Sequence, residues 1–272
     1  MSGPNYARCT NGSLMIFDYS WQTLLIFSLF IWSGFVRTGL GFGGALLTMP
    51  FILLIDNRPL VYLPIIAVHL LIFSPITLWQ NRRRQNMASS VFAQVDWGIL
   101  KRTLPIMLPA KLLGVIGVVN LPSHIITPII YCVVGIYALS YLFNKPLASS
   151  RPWMDWPLLS LGAYFSGTSL VGGPLIMAVY IGKVAKEQMR DTIFVLWFIL
   201  VAIKMLSFLF LGVNLQLAAH LWLLPAAFIG HLLGERFHQY LMAGDQKTFF
   251  RIIGAFLLLA CVSGLIKQAV VP

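Results

Sequence analysis

Arg37, Thr38, Ser166, Thr168 and Ser169 are the side chains best suited to hold a small anion, and each stands beside a glycine cluster. The first cluster is Gly39, Gly41, Gly43 and Gly44, in a stretch running from Gly34 to Gly44. The second is Gly167, Gly172 and Gly173, in a stretch from Gly162 to Gly173. Glycine has no Cβ, so an anion can touch main-chain N–H groups directly where a helix begins. A helix starting at Gly43 or Gly172 would present unpaired N–H groups and a partial positive charge. Hydroxyls add donors, and a guanidinium matches an oxyanion through two parallel hydrogen bonds. Arg37 has a competing reading, in which its segment crosses fully and the side chain snorkels to the interface. Its place inside the glycine stretch favours the binding reading, because charges at membrane depth commonly serve function.

Other polar residues in apolar surroundings carry weaker signals. Lys204 and Lys111 each either draw an anion inward, snorkel to the interface or pair with a backbone carbonyl, and Lys204 is kept among the binding candidates. His69 is the candidate for proton coupling, since imidazole changes charge near neutral pH, whereas His231 reads as a packing residue. The eight acidic residues, Asp18 to Asp245, lie near segment ends, so no buried carboxylate pair is expected for a proton relay or a sodium cage. Cys9, Cys132 and Cys261 have no metal-ligand spacing, and neither a metal nor a cofactor is expected. Gly39 to Gly44 satisfies the pattern G-x-G-x-x-G, but that pattern has meaning only after a strand in a βαβ unit. With no H-E-x-x-H or G-x-S-x-G motif, an enzyme is not expected.

The elements that must position these residues are membrane helices. The chain is 58% hydrophobic and 10% charged, with a mean hydropathy of +0.83, and its apolar runs are continuous rather than alternating. An all-α integral membrane protein follows. Ten apolar segments fall near 21–37, 42–55, 60–80, 103–120, 124–143, 154–167, 172–183, 191–212, 217–234 and 248–268. The first, second, sixth and seventh are shorter than the ~20 residues a bilayer needs, and they form two pairs, each joined by a glycine break. Helix-poor sequence at membrane depth must be covered by protein or a polar cavity. Gly43-Gly44 align with Gly172-Gly173, and Leu108 to Gly114 with Leu224 to Gly230, so five segments recur in each half.

Charge then orients the segments. The net charge of +11 sits in short loops, as at Arg82–Arg84, Lys101, Arg102, Lys183, Lys186, Arg190, Arg236, Lys247 and Arg251. That pattern orients helices and gives no reason to expect nucleic acid. With the basic loops cytoplasmic, both termini lie outside, and the two halves have inverted topology, each half beginning with a short broken-helix pair. Residues 1–20 read as an extracytoplasmic N-terminus without a signal-peptide pattern. Residues 21–145 form the first repeat and 146–272 the second, together one transport domain.

Gly34, Gly41, Gly43, Gly44 and Pro50, with Ser166, Gly167, Gly172, Gly173 and Pro174, resemble the paired glycine motifs of the sulfite exporter TauE/SafE family. Thr38, Ala45 and Leu170 stand where that family usually has glycine. Arg190-Asp-Thr192 is similar to the R-x-T that often follows the second motif. The resemblance implies a permease of the bacterial inner membrane. The substrate class it implies is sulfite, organosulfonates such as sulfoacetate, or related sulfur oxyanions, often moved outward. The cargo would bind at mid-membrane between the two breaks. The alternative is an anion channel or an uptake permease for another small anion. Proton coupling and oligomerisation stay open. The membrane potential could drive export by itself, since a divalent anion leaving a negative interior gains about 4.6 kcal/mol per 100 mV.

Overall fold

Unbroken apolar sequence in lipid has to satisfy its own backbone, and helices do so within a single segment. In the computed structural model, residues 21–41, 43–84, 94–145, 147, 149, 151–243 and 246–270 are described. Among them are ten helices: α1 (Trp21–Leu40), α2 (Gly44–Ile55), α3 (Pro59–Arg84), α4 (Trp97–Asn120), α5 (Ser123–Leu142), α6 (Pro152–Ser169), α7 (Gly173–Tyr180), α8 (Lys186–Phe210), α9 (Leu217–Ala243) and α10 (Gln246–Val270). The described residues contain no strand. Seven of these helices, α1, α3, α4, α5, α8, α9 and α10, are long and apolar enough to cross a bilayer. Cys9, Asp18 and Asp245, and the N-terminal region expected over 1–20, lie outside the described residues.

The broken pairs differ from the sequence expectation in one respect. The first segment does not stop near residue 37; α1 is 20 residues long and carries Arg37 in its last turn. Each pair is therefore a long helix followed by a short one, with 12 residues in α2 and 8 in α7. α6 runs to Ser169, and in its last turn Thr168 and Ser169 donate their hydroxyls back to the Phe165 carbonyl at 3.2 and 3.1 Å. Both long helices then end in the same way. Gly41 adopts φ 77° and Leu170 φ 61°, and each donates its N–H to the carbonyl four residues back, Arg37 at 3.0 Å and Ser166 at 3.3 Å. Gly43, at φ 85°, then turns the chain into α2.

Glycines set the packing of these helices. α1 lies along α9, α6 along α4, α5 along α10 and α3 along α8. A Cβ on Gly230 would collide with the Ile31 carbonyl, and one on Gly34 with the Ala227 carbonyl. Across the other pair, Gly114 lies against the Tyr164 carbonyl and Gly167 against the Lys111 carbonyl. Small residues that let backbones touch are how helices associate without a hydrophobic drive between them. The first helix of each half thus packs on the fourth helix of the other half. The outer surface carries large apolar side chains such as Leu24, Leu113, Ile136, Phe210, Leu221 and Leu259, while Arg37, Lys111 and Lys204 are buried.

Acidic residues depart from expectation as well. Asp155 and Asp191 lie near helix starts and Glu235 lies inside α9, and all three are buried. Asp155 pairs with Lys183. Arg190, four residues after the start of α8, is a hub joining three other helices. It donates to Asn81 Oδ1 at 2.7 Å, to the Thr38 carbonyl at 3.1 Å and to Glu235 Oε1 at 3.1 Å. Asn81 in turn donates to Asp191 Oδ1 at 2.8 Å, and the Thr192 hydroxyl accepts from the Asp96 N–H at 2.9 Å. Glu235 was missed because α9 runs to Ala243 and not to 234.

Two outcomes follow. Gly230→Val should cost about 1–3 kcal/mol by overpacking α1 against α9, lowering the thermal midpoint in detergent. Gly182→Val, where a side chain meets open space, should leave it unchanged; equal melting of the two variants refutes this account of the packing. Glu235→Ala, which removes the carboxylate facing Arg190, should destabilise by about 3 kcal/mol. Glu235→Gln, which keeps an acceptor, should do less harm, and a wild-type melt for Glu235→Ala would contradict the role given to the hub.

Candidate functional site

The two breaks meet. A cavity of about 40 Å³ is lined by Gly41, Gly43, Gly44, Ala45 and Leu46 from the first pair and by Ser166, Leu170 and Gly173 from the second. Arg37, together with Leu70 of α3 and Phe194, Trp197 and Val201 of α8, completes the wall. Arg37 is 5% exposed. Its guanidinium lies 4.5 Å above the Phe73 ring, and its Nε and Nη2 have no hydrogen-bond partner. An arginine kept from water needs acceptors, and a face-on aromatic ring offsets only part of that need. Trp197 contributes a second orphan, since its indole Nε1 is buried without a partner.

Backbone donors come chiefly from α2. Gly44, Ala45 and Leu46 form its first turn, where N–H groups have no partner inside the helix. The N–H of Leu47 is the first to bond back, to the Gly43 carbonyl at 2.8 Å. The matching turn of α7 has Pro174, which has no N–H to offer. The donor field is therefore richer on the side of the first break.

Of the residues singled out in the sequence, Arg37, Gly41, Gly43, Gly44, Ser166 and Gly173 line this cavity, and the others serve elsewhere. Thr38 is fully buried and shares a hydrogen bond of 2.9 Å with His231 Nδ1, while His231 Nε2 meets Gln80 Oε1 at 3.0 Å. Gly39 packs on Gly234 of α9, and its carbonyl lies 2.7 Å from His238 Nδ1. Gly167 is the close-packing residue against α4, and Gly172 presses on Gly162. Thr168 and Ser169 bond to their own helix.

Lys204 does not line the cavity. Its Nζ donates to the carbonyls of Gly167 at 2.6 Å and Thr168 at 3.2 Å. A cation on the last carbonyls of α6 meets both their unfilled lone pairs and the negative end of the helix dipole. The corresponding carbonyls of α1, Thr38 and Gly39, are met by Arg190 and His238. Lys111 Nζ donates to Ser166 Oγ at 2.9 Å, which ties it to the cavity wall.

His69 stands one step behind the wall, edge-on to Phe73 with ring centroids 6.5 Å apart. Its Nε2 is buried without a partner, and the His220 ring lies 5.4 Å away. No group of three or more His, Cys, Asp or Glu able to hold a metal occurs among the described residues. Phe194, Trp197, Val201 and Leu70 were not foreseen, because apolar residues in apolar helices give no sign of which face they occupy. Trp197 had the one usable signal, a polar N–H inside a membrane span.

No curated protein and no solved structure matches the chain. The family model described as sulfite exporter TauE/SafE matches residues 26–264. Because the match runs from α1 to α10 and takes in both breaks, the protein belongs to the sulfite exporter TauE/SafE family, whose members are membrane transporters and not enzymes.

Proposed function

We propose that the protein exports a small sulfur oxyanion, sulfite or an organosulfonate, by binding it in the cavity between the two helix breaks. One observation carries this reading: a buried arginine with two unpartnered guanidinium nitrogens and the first turn of α2 line the same cavity, which both halves build. Arg37 holds the anion by its fork, the α2 amides and Trp197 complete the donor set, and glycines at 43 and 44 let the cargo reach the backbone. The two halves act as inverted repeats. Support for that comes from the cross-pairing of α1 with α9 and of α6 with α4, and from left-handed turns at Gly41 and Leu170 in aligned positions. Both termini face the outside of a bacterial inner membrane, with the Arg190 hub toward the cytoplasm. His69 is the proton-coupling candidate that belongs to this reading, on the strength of its buried, unpartnered nitrogen.

Purified protein should bind sulfite, thiosulfate, sulfate, sulfoacetate and taurine to differing degrees. Arg37→Ala should weaken the best of them by tenfold or more, roughly the worth of one charge-assisted hydrogen bond. Arg37→Lys keeps the charge without the fork and should fall between. If Arg37→Ala binds every anion as the parent does, the assignment fails. In liposomes, an imposed voltage should change the transport rate; indifference to voltage would reject an electrogenic uniport.

A further inference from the structure

Each broken helix points one residue at the cavity from the same place, four residues before its left-handed turn. In α1 that residue is Arg37 and in α6 it is Ser166, whose carbonyls accept from Gly41 and Leu170. Arginine and serine look unequal there until Lys111 is counted. The Lys111 ammonium donates to Ser166 Oγ at 2.9 Å. With its oxygen occupied as an acceptor, the serine hydroxyl is left to donate its hydrogen, and the charge behind it strengthens that donation. No acceptor for this hydrogen is present among the described residues, and Ser166 lines the cavity.

Lys111 is as buried as a side chain can be, at 0% exposure, as is Lys204. The two lysines are nevertheless answered differently. Lys204 rests on two carbonyls at the negative end of α6. Lys111 has one neutral hydroxyl and no carboxylate, and among the described residues neither Lys111 nor Arg37 belongs to an ion pair. A buried cation of this kind is costly unless an opposite charge comes to it. The cavity wall holds one such cation, Arg37, and no acidic residue, and Lys111 stands behind the wall on Ser166.

We propose that Lys111, acting through Ser166, is the second anion-binding arm of the cavity, and that the two arms select a doubly charged oxyanion over a singly charged one. The proposal rests on the export reading above and deepens it. For sulfite, it means that the dianion is the bound species and bisulfite the rejected one. Arg37 takes oxygens on one face of the guest and the Ser166 hydroxyl takes an oxygen on the other. Two negative charges then neutralise the two buried positive ones.

Sulfate and methanesulfonate test this, because both are tetrahedral and fully ionised at neutral pH but carry two charges and one. Wild-type protein in detergent should bind sulfate the more tightly. Lys111→Gln should weaken sulfate by about tenfold while changing methanesulfonate by less than about threefold, so that the preference collapses. Lys204→Gln, which removes a buried lysine bound only to carbonyls, should keep the preference. A lysine that merely braced α4 against α6 would lower stability and leave the ratio intact, and that result overturns the proposal. So does a wild type that binds the two anions equally. If Lys111→Gln does not fold, Ser166→Ala must show the same collapse, and a retained preference there is equally fatal. A wild type that binds neither these two anions nor sulfite defeats the export reading itself, whereas loss of selectivity alone defeats only this inference.

Discussion

An interrupted helix inside a membrane leaves two sets of main-chain groups without partners: carbonyls where the first helix stops and amides where the next one starts. The chain treats the two sets in opposite ways. The carbonyls are satisfied from within, by Arg190 and His238 on α1 and by Lys204 on α6. The amides are left facing a cavity, with Arg37 and Trp197 beside them and also unpaired. Three basic side chains, the buried Lys204 and the half-buried Arg190 and His238, are therefore committed to ends that carry partial negative charge, and the donors left over surround a hollow that carbonyls do not fill. That division, more than the presence of positive charge alone, makes the hollow suited to an anion.

The two halves reach this result with different residues. Gly41 and Leu170 occupy the same left-handed turn, yet leucine there bears roughly 1–2 kcal/mol of backbone strain that glycine avoids. Leu170 also fills space that its counterpart leaves open, since both line the cavity. α2 offers a full first turn of amides, whereas α7 is shorter and has Pro174 in its first turn. On the proposed reading the first half supplies most of the recognition, and the second narrows the space and adds Ser166.

Much of this was legible in the sequence. Ten segments, two breaks and the helix starts just after Gly43 and Gly172 follow from apolar runs and glycine spacing alone. What was illegible was direction. Arg37 belongs to the break by its position in the glycine stretch, whereas the structure carries it in the last turn of α1 with its guanidinium over Phe73. Thr38 and Lys204 looked like cavity residues by proximity, and each proved to face a neighbouring helix. Glu235 and Asp191 seemed to be ordinary segment-end acids until Arg190 and Asn81 were found beside them. The match of Leu108–Gly114 with Leu224–Gly230 was visible as a repeat. Its cause, two glycines each letting a backbone approach, needed the third dimension.

The cross-pairing also constrains how such a cavity would open on the proposed reading. Because α1 is locked to α9 by Gly34 and Gly230, and α6 to α4 by Gly114 and Gly167, each break is fixed to a helix of the opposite half. Neither break can shift alone without tearing a glycine-to-backbone contact. Movement is then a displacement of one locked pair relative to the other, pivoting where α3 meets α8 and α5 meets α10. The Arg190 hub bridges α1, α3, α8 and α9 and so stands across that displacement. Its bonds must yield before the cavity can open at that end, while the Lys204 contacts, which lie between α8 and α6, need not yield in the same step. A carrier built this way keeps the helix ends satisfied throughout and exposes only the amides whose partner is the cargo.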